Sequence, residues 1–217
     1  MPDSNILKVN EIFYSIQGES TFAGLPCVFV RLTGCNLRCT YCDTKYAYDE
    51  GQDKTITEIL ESIGKYNCSL LEITGGEPLI QSNMPLLVDR LIEKKYRVLI
   101  ETNGSQDISP LNPYAVKILD MKCPSSQMSE QMDLLNLSRI SNQDEVKFVI
   151  GNREDYLWAK NICAYFELEE RCQILFSAVF GKLPPQDLAK WILADHLRVR
   201  LQLQLHKYIW SPDQRGV

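Results

Sequence analysis

Short β-rich runs alternate with segments of helical periodicity along most of the chain, and this alternation restricts the fold more than any other feature. The runs are VFVRL (Val28 to Leu32), LLEIT (Leu70 to Thr74), RVLIET (Arg97 to Thr102), VKILDM (Val116 to Met121) and EVKFVI (Glu145 to Ile150). Between them, Thr55 to Tyr66 opens with Thr55 and Glu58 at capping-box spacing and carries Ile56, Ile59, Leu60 and Ile63 on one helical face. Strands joined by helices imply right-handed crossovers and a parallel sheet, because parallel neighbours need a long connection. The expected class is α/β. The 217 residues hold about six such units, short of the roughly 250 residues of a closed eight-unit barrel, so a partial, open βα barrel is expected. No repeat, Ser/Gly linker or charge block divides the chain, and residues 1–217 read as one domain.

Ligands of parallel sheets gather at the C-terminal strand ends, where loops vary while strands hold them in place. Four loops fall there: Gly34 to Thr44, Gly75 to Pro78, Asn103 to Gly104 and Lys122 to Ser126. With 23 Lys and Arg against 28 Asp and Glu, the net charge of −5 argues against nucleic acid as a partner. No apolar run is long enough to span a membrane, and the opening MPDSNILK lacks a basic-then-apolar leader, so a cytoplasmic protein is expected. In that compartment the eight cysteines read as thiols or metal ligands rather than disulfides.

Three of them, Cys35, Cys39 and Cys42, stand in GCNLRCTYCDT at C-x3-C-x2-C spacing, compact enough to converge on one inorganic centre. Thiolates suit zinc and iron–sulfur clusters alike. A zinc site usually closes with four ligands in C-x2-C pairs or with histidine, and neither His196 nor His206 has such spacing. Cys27 is the nearest other thiol, but an extended strand would place it on the order of 20 Å away. The other reading is a four-iron cubane whose last iron is left for an exogenous ligand. Cys27, Cys68, Cys123, Cys163 and Cys172 are expected to behave as small hydrophobes.

The loop resembles the radical S-adenosylmethionine (SAM) superfamily, whose C-x3-C-x-aromatic-C hallmark is matched by Cys35, Cys39, Tyr41 and Cys42. The resemblance implies a barrel of the radical SAM type, a [4Fe-4S] cluster held by the three cysteines, and S-adenosyl-L-methionine on the open iron with Tyr41 near its adenine. TGGEP, from Thr74 to Pro78, matches the superfamily's Gly-Gly-Glu segment, so Gly75, Gly76 and Glu77 are expected to hold the cofactor's ammonium. Asp120, Met121, Lys122 and Ser177 lie at strand ends expected to line the same cofactor site.

EIFYSIQGES (Glu11 to Ser20), Arg31, CDT (Cys42 to Thr44) and the ending LHKYIWSPDQRGV further resemble the 7-carboxy-7-deazaguanine synthase family, with the likeness running from the first strand to the last residue. That resemblance implies conversion of 6-carboxy-5,6,7,8-tetrahydropterin to 7-carboxy-7-deazaguanine with loss of ammonia, on the route to queuosine. It assigns Ile16, Gln17, Gly18 and Thr74 to the pterin, Arg31 to its carboxylate, Thr44 to Mg2+ and Val217 to the substrate side. It also implies a homodimer and an electron donor such as flavodoxin. The last run, Leu201 to His206, alternates apolar and polar residues and is expected to be a strand that brings Gln204 and His206 to the site if its polar face points inward. The alternatives are a glycyl-radical activating enzyme, which shares the cysteine spacing and a GGEP-like segment, and a non-catalytic zinc-binding interaction module.

Overall fold

The structure is a computed structural model that describes residues 5–217. Residues 1–4, half of the segment read as leaderless, lie outside the described residues. In chain order the elements are β1 (Ile6–Ile16), β2 (Pro26–Leu32), β3 (Gln52–Thr55), α1 (Ile56–Ile63), β4 (Leu70–Gly75), α2 (Met84–Glu93), β5 (Arg97–Thr102), β6 (Val116–Met121), α3 (Asn136–Arg139), β7 (Glu145–Ile150), α4 (Arg153–Tyr165), β8 (Gln173–Ala178), α5 (Pro185–Ala194), β9 (Arg200–Gln202) and α6 (His206–Ile209). The strands form one open sheet in the order β3-β1-β2-β4-β5-β6-β7-β8-β9. From β2 through β9 every pairing is parallel, as helical crossovers require.

Three expectations need correction. β1 pairs antiparallel with both β2 and β3, because residues 17–25 form a tight connection that only antiparallel neighbours can use. No α-helix separates β5 from β6. Buried Asn136 secures that connection instead, donating to the Gly104 and Gln106 carbonyls at 3.1 and 2.7 Å and accepting from the Ile108 amide at 3.2 Å. The last strand ends at Gln202, and His206 opens α6 rather than extending the sheet. There the Leu205 amide donates to the Gly18 carbonyl at 2.9 Å, and the Ile209 amide closes a helical turn on Leu205.

Strand alternation gives the sheet two faces. Val28, Val30, Leu71, Ile73, Val98, Ile100, Val146, Phe148 and Phe176 join the outer core beneath the helices. α1 fits it because Thr55 and Glu58 form the expected capping box and Ile56, Ile59 and Ile63 are buried, each contributing about 1.5–3 kcal/mol of apolar burial. The inner face is graded. Near the strand starts it is an apolar plug of Phe13, Phe22, Cys27, Phe29, Leu99 and Ile118. Glu72 lies at the level of this floor, in register with Phe29 and Leu99, and toward the C-terminal ends the face becomes polar, with Thr74, Asp120, Lys147, Ser177 and Gln202 all buried. A packed floor beneath a polar chamber places the chemistry at one end of the sheet.

Candidate active site

Leu32 pairs with Gly75 across β2 and β4, so the loops leaving these strands meet. Gly75 has φ of +152°, and a Cβ there would lie 2.2 Å from the Leu32 carbonyl oxygen. A Cβ on Gly76 would lie 2.0 Å from the Gly34 carbonyl oxygen and 2.8 Å from Cys35 Cβ. Only glycine allows this turn to rest on the cysteine loop. Glu77 is fully buried and accepts from the Leu79 amide at 3.0 Å, the Thr102 hydroxyl at 2.8 Å and the Asn103 amide at 2.6 Å. Burial pushes its carboxyl up, and these donors oppose the shift. The carboxylate expected to meet a ligand's ammonium thus faces protein donors, and it fixes the glycine turn to the end of β5.

Cys35, Cys39 and Cys42 are free and partly buried. The Leu37 amide and Asn103 Nδ2 approach Cys35 Sγ at 3.4 and 3.9 Å. Burial raises the Cys35 and Cys39 thiols, and the nearby Lys122 ammonium draws both back. Among the described residues, no three His, Cys, Asp or Glu side chains converge closely enough to close around a single ion. The fit to an iron–sulfur cluster rests on the donor set: three thiols on one loop, N–H groups directed at the first, and a cation facing them. Cys27 is buried in the apolar floor, away from this loop.

The cysteine loop docks on the segment that leaves β6. The Thr40 hydroxyl donates to the Ser125 carbonyl at 2.8 Å, and the Tyr41 hydroxyl donates to the Val149 carbonyl at 3.2 Å. Lys122 pairs with Asp120 Oδ2 at 2.8 Å, while Asp120 Oδ1 is buried without a partner. Ser177 is buried at the end of β8, where it pairs with Val149 of β7 and with Gln202 of β9. Met121 departs from its expected place. Its side chain is fully buried in the outer core, because strand alternation turns it away from Asp120, and only its backbone remains for the site.

Facing this side is the turn after β1, which Ile16 enters at the end of the strand. Gln17 is buried, and its amide donates to Glu72 at close range. Gly18 lies against His206, whose Nδ1 would be 2.2 Å from an added Cβ. The Gln204 amide donates to Glu19 at 2.8 Å, so Gln204 and His206 both reach this turn although neither lies on a strand. The Arg31 Nε donates to Glu11 at 2.8 Å, and its guanidinium lies 5.8 Å from the Phe13 ring and 5.9 Å from the Tyr46 ring. Arg215 stacks on Tyr46 at 3.8 Å, which returns the Arg-Gly-Val ending to the Arg31 cluster and leaves Val217 partly buried. The Thr74 hydroxyl donates to Glu101 at 3.0 Å. At the rim, the Thr44 hydroxyl donates to Asp43 at 2.9 Å, and Asp43 pairs with Lys207 at 2.6 Å. Despite partial burial, Lys207 holds the Asp43 carboxyl well below the usual carboxylate range.

Lys147, only 3% exposed, lies between the two sides. It pairs with Glu19 at 2.8 Å, with Asp120 at 3.4 Å and with Glu101 at close range.

Residues 29–124 match the radical SAM superfamily. A 7-carboxy-7-deazaguanine synthase from Chlorobaculum tepidum is 47% identical over 214 residues, covering 97% of each chain. The chain belongs to the 7-carboxy-7-deazaguanine synthase family. Another such synthase, from Koribacter versatilis, is 41% identical and covers 97% of this chain and 100% of its own. Among solved structures, QueE from Escherichia coli shares the fold at a TM-score of 0.71 and 22% identity, covering 93% of this chain and 99% of its own. SuiB from Streptococcus suis matches at 0.55 and 14% identity, over 78% of this chain and 46% of its own. These comparisons favour neither the glycyl-radical activating enzyme nor the zinc module.

Sequence reasoning missed the acidic set around Lys147, namely Glu19, Glu72 and Glu101, together with Lys147 itself. A signal was available. LLEIT carries Glu72, RVLIET Glu101 and EVKFVI Lys147 among apolar neighbours, and a buried charge in a strand needs partners on the same face.

Proposed function

We propose that the chain is a 7-carboxy-7-deazaguanine synthase, a carbon–nitrogen lyase that converts 6-carboxy-5,6,7,8-tetrahydropterin to 7-carboxy-7-deazaguanine with loss of ammonia, in queuosine biosynthesis. The observation that carries this reading is that buried Lys147 joins two chemically distinct groups: Asp120 and Lys122 beside the three-thiol loop on one side, and Glu19 and Glu101 beside the Gln17–Glu72 pair on the other.

On the cofactor side, Cys35, Cys39 and Cys42 would hold the cluster, and the Gly75 and Gly76 carbonyls would take the ammonium of S-adenosyl-L-methionine. When bound, the two supply a hydrogen-abstracting radical after one-electron reduction. Tyr41, Asp120, Lys122 and Ser177 would line the remainder of this side. On the substrate side, Gln17 and Glu72 supply fixed donors and acceptors for the amide and guanidine-like edge of a pterin. Arg31 is a permanent cation held by Glu11 at 2.8 Å, and its planar fork suits the substrate carboxylate. The apolar floor of Phe13 and Phe29 excludes water from the ring. Thr44 beside Asp43 offers oxygen donors suited to Mg2+, which would neutralise charge on the bound carboxylate.

A single domain spanning the chain is supported by the continuous sheet. A homodimer, a flavodoxin-like electron donor and a cytoplasmic setting accompany the reading. No helix among the described residues is long and apolar enough to cross a membrane, and the free edge at β9 carries exposed Leu201 and Leu203 that a second copy could cover. Anaerobic enzyme reconstituted with iron and sulfide, then given reductant, S-adenosyl-L-methionine, Mg2+ and the tetrahydropterin, should form 7-carboxy-7-deazaguanine. Full cluster loading without that product would overturn the assignment.

A further inference from the structure

Four carboxylates, Glu19, Glu72, Glu101 and Asp120, share the interior of the inner face, where among the described residues only Lys147 pairs with more than one of them. Its three partners come from three elements: the turn after β1, β5 and β6. Each partner holds something further. Glu101 receives the Thr74 hydroxyl at 3.0 Å, Glu19 receives the Gln204 amide at 2.8 Å, and Asp120 is shared with Lys122 at 2.8 Å. The other buried lysine, Lys117, meets a single carboxylate, Asp144, at 3.3 Å near the strand starts, which suffices for a structural tie. Lys147 differs because its partners reach both sides of the chamber, and Asp120 Oδ1 is buried there without a partner.

The geometry points to Lys147 as a positioning residue that holds the Glu101 and Glu19 carboxylates in place on the substrate side while sharing Asp120 with the cofactor side. This inference rests on the proposed function. The charged and titratable groups facing Lys147 are Glu19 from the β1 turn, Glu72 from β4, Glu101 from β5, Asp120 and Lys122 from β6, and Glu145 from its own strand, with His206 beyond Glu19 and Asp43 of the cysteine loop further off. Like charges confined together cannot all ionise unless a cation compensates them. Without Lys147, Lys122 remains occupied by Asp120, the cation that lowers Glu19 is lost, and a proton enters at that carboxyl. A pterin rich in N–H donors then meets a carboxylic acid in place of a charged acceptor.

The test compares wild type, Lys147→Met and Lys147→Arg as reconstituted enzyme carrying S-adenosyl-L-methionine without reductant, by titrating 6-carboxytetrahydropterin across pH. Lys147→Met should weaken substrate binding at neutral pH by about tenfold or more and move the acid limb of binding up by about one pH unit. Cofactor affinity should change less than substrate affinity, and Lys147→Arg should return the limb toward the wild-type position. An unmoved limb in Lys147→Met, or equal loss of both ligands, would overturn the inference while leaving the functional reading intact. Absence of wild-type substrate binding would sink both. If Lys147→Met fails to fold, Glu101→Gln decides: with one carboxylate fewer the limb must move down, and an unchanged limb refutes the role.

Discussion

Glu72 concentrates the tension of the chamber in one side chain. Burial, then repulsion from Glu101, raises its carboxyl well above the model-peptide value of 4.5, and the Lys147 ammonium and the Gln17 amide only partly offset this. Across the window from that unfolded value up to the raised folded value, the native state binds more protons than the unfolded state, so stability falls as pH rises. Glu72→Gln resembles the protonated acid and can still accept from Gln17. Thermal melts should therefore show this variant more stable than wild type at pH 8 and nearly equal at pH 4; equal melting differences at both values would contradict the account. Gly76 tests steric fit at the same scale. Its alanine variant would drive Cβ into the Gly34 carbonyl, at a cost of about 1–3 kcal/mol if the loops shift to relieve it. Iron bound per chain after reconstitution should drop sharply, and unchanged iron content would show that the turn does not cradle the cysteine loop.

α1 shows what a local pattern can specify. The Thr55 hydroxyl accepts from the Glu58 amide at 3.2 Å, and the Glu58 carboxylate accepts from the Thr55 amide at 2.8 Å. Thr55→Ala should cost about 1 kcal/mol, seen as a melting temperature lower by about 2–4 °C with turnover unchanged. α1, the parallel strands and the three-cysteine loop were legible in the sequence because each depends on spacing within a few residues. The antiparallel pairing of β1 was not, since Ile6–Ile16 gives no indication of its partner. Nor was the turn to helix at His206, which depends on Gly18 far away in the chain. The inner charges were hidden for a related reason. Period-two alternation shows that Glu101 and Lys147 leave the outer core, but whether they meet water or each other depends on the curvature of the whole sheet.

For the molecule as a whole, the grading of the inner face joins fold to function: apolar floor at the strand starts, polar chamber at their C-terminal ends, thiols on the loop above one side and Arg31 on β2 at the other. The central claim is that both sides serve one reaction in a shared space, so that a radical generated at the cysteine loop reaches a pterin held by the β1 turn and β2. The most direct measurement uses 6-carboxytetrahydropterin deuterated at carbon 6 in an anaerobic turnover, with the isotope content of the recovered S-adenosyl-L-methionine read by mass spectrometry, because loss of ammonia alone is redox-neutral and the abstracted hydrogen must be returned. The account predicts deuterium at the 5' carbon of the cofactor alongside 7-carboxy-7-deazaguanine. Product formed while the recovered cofactor stays unlabelled would contradict it.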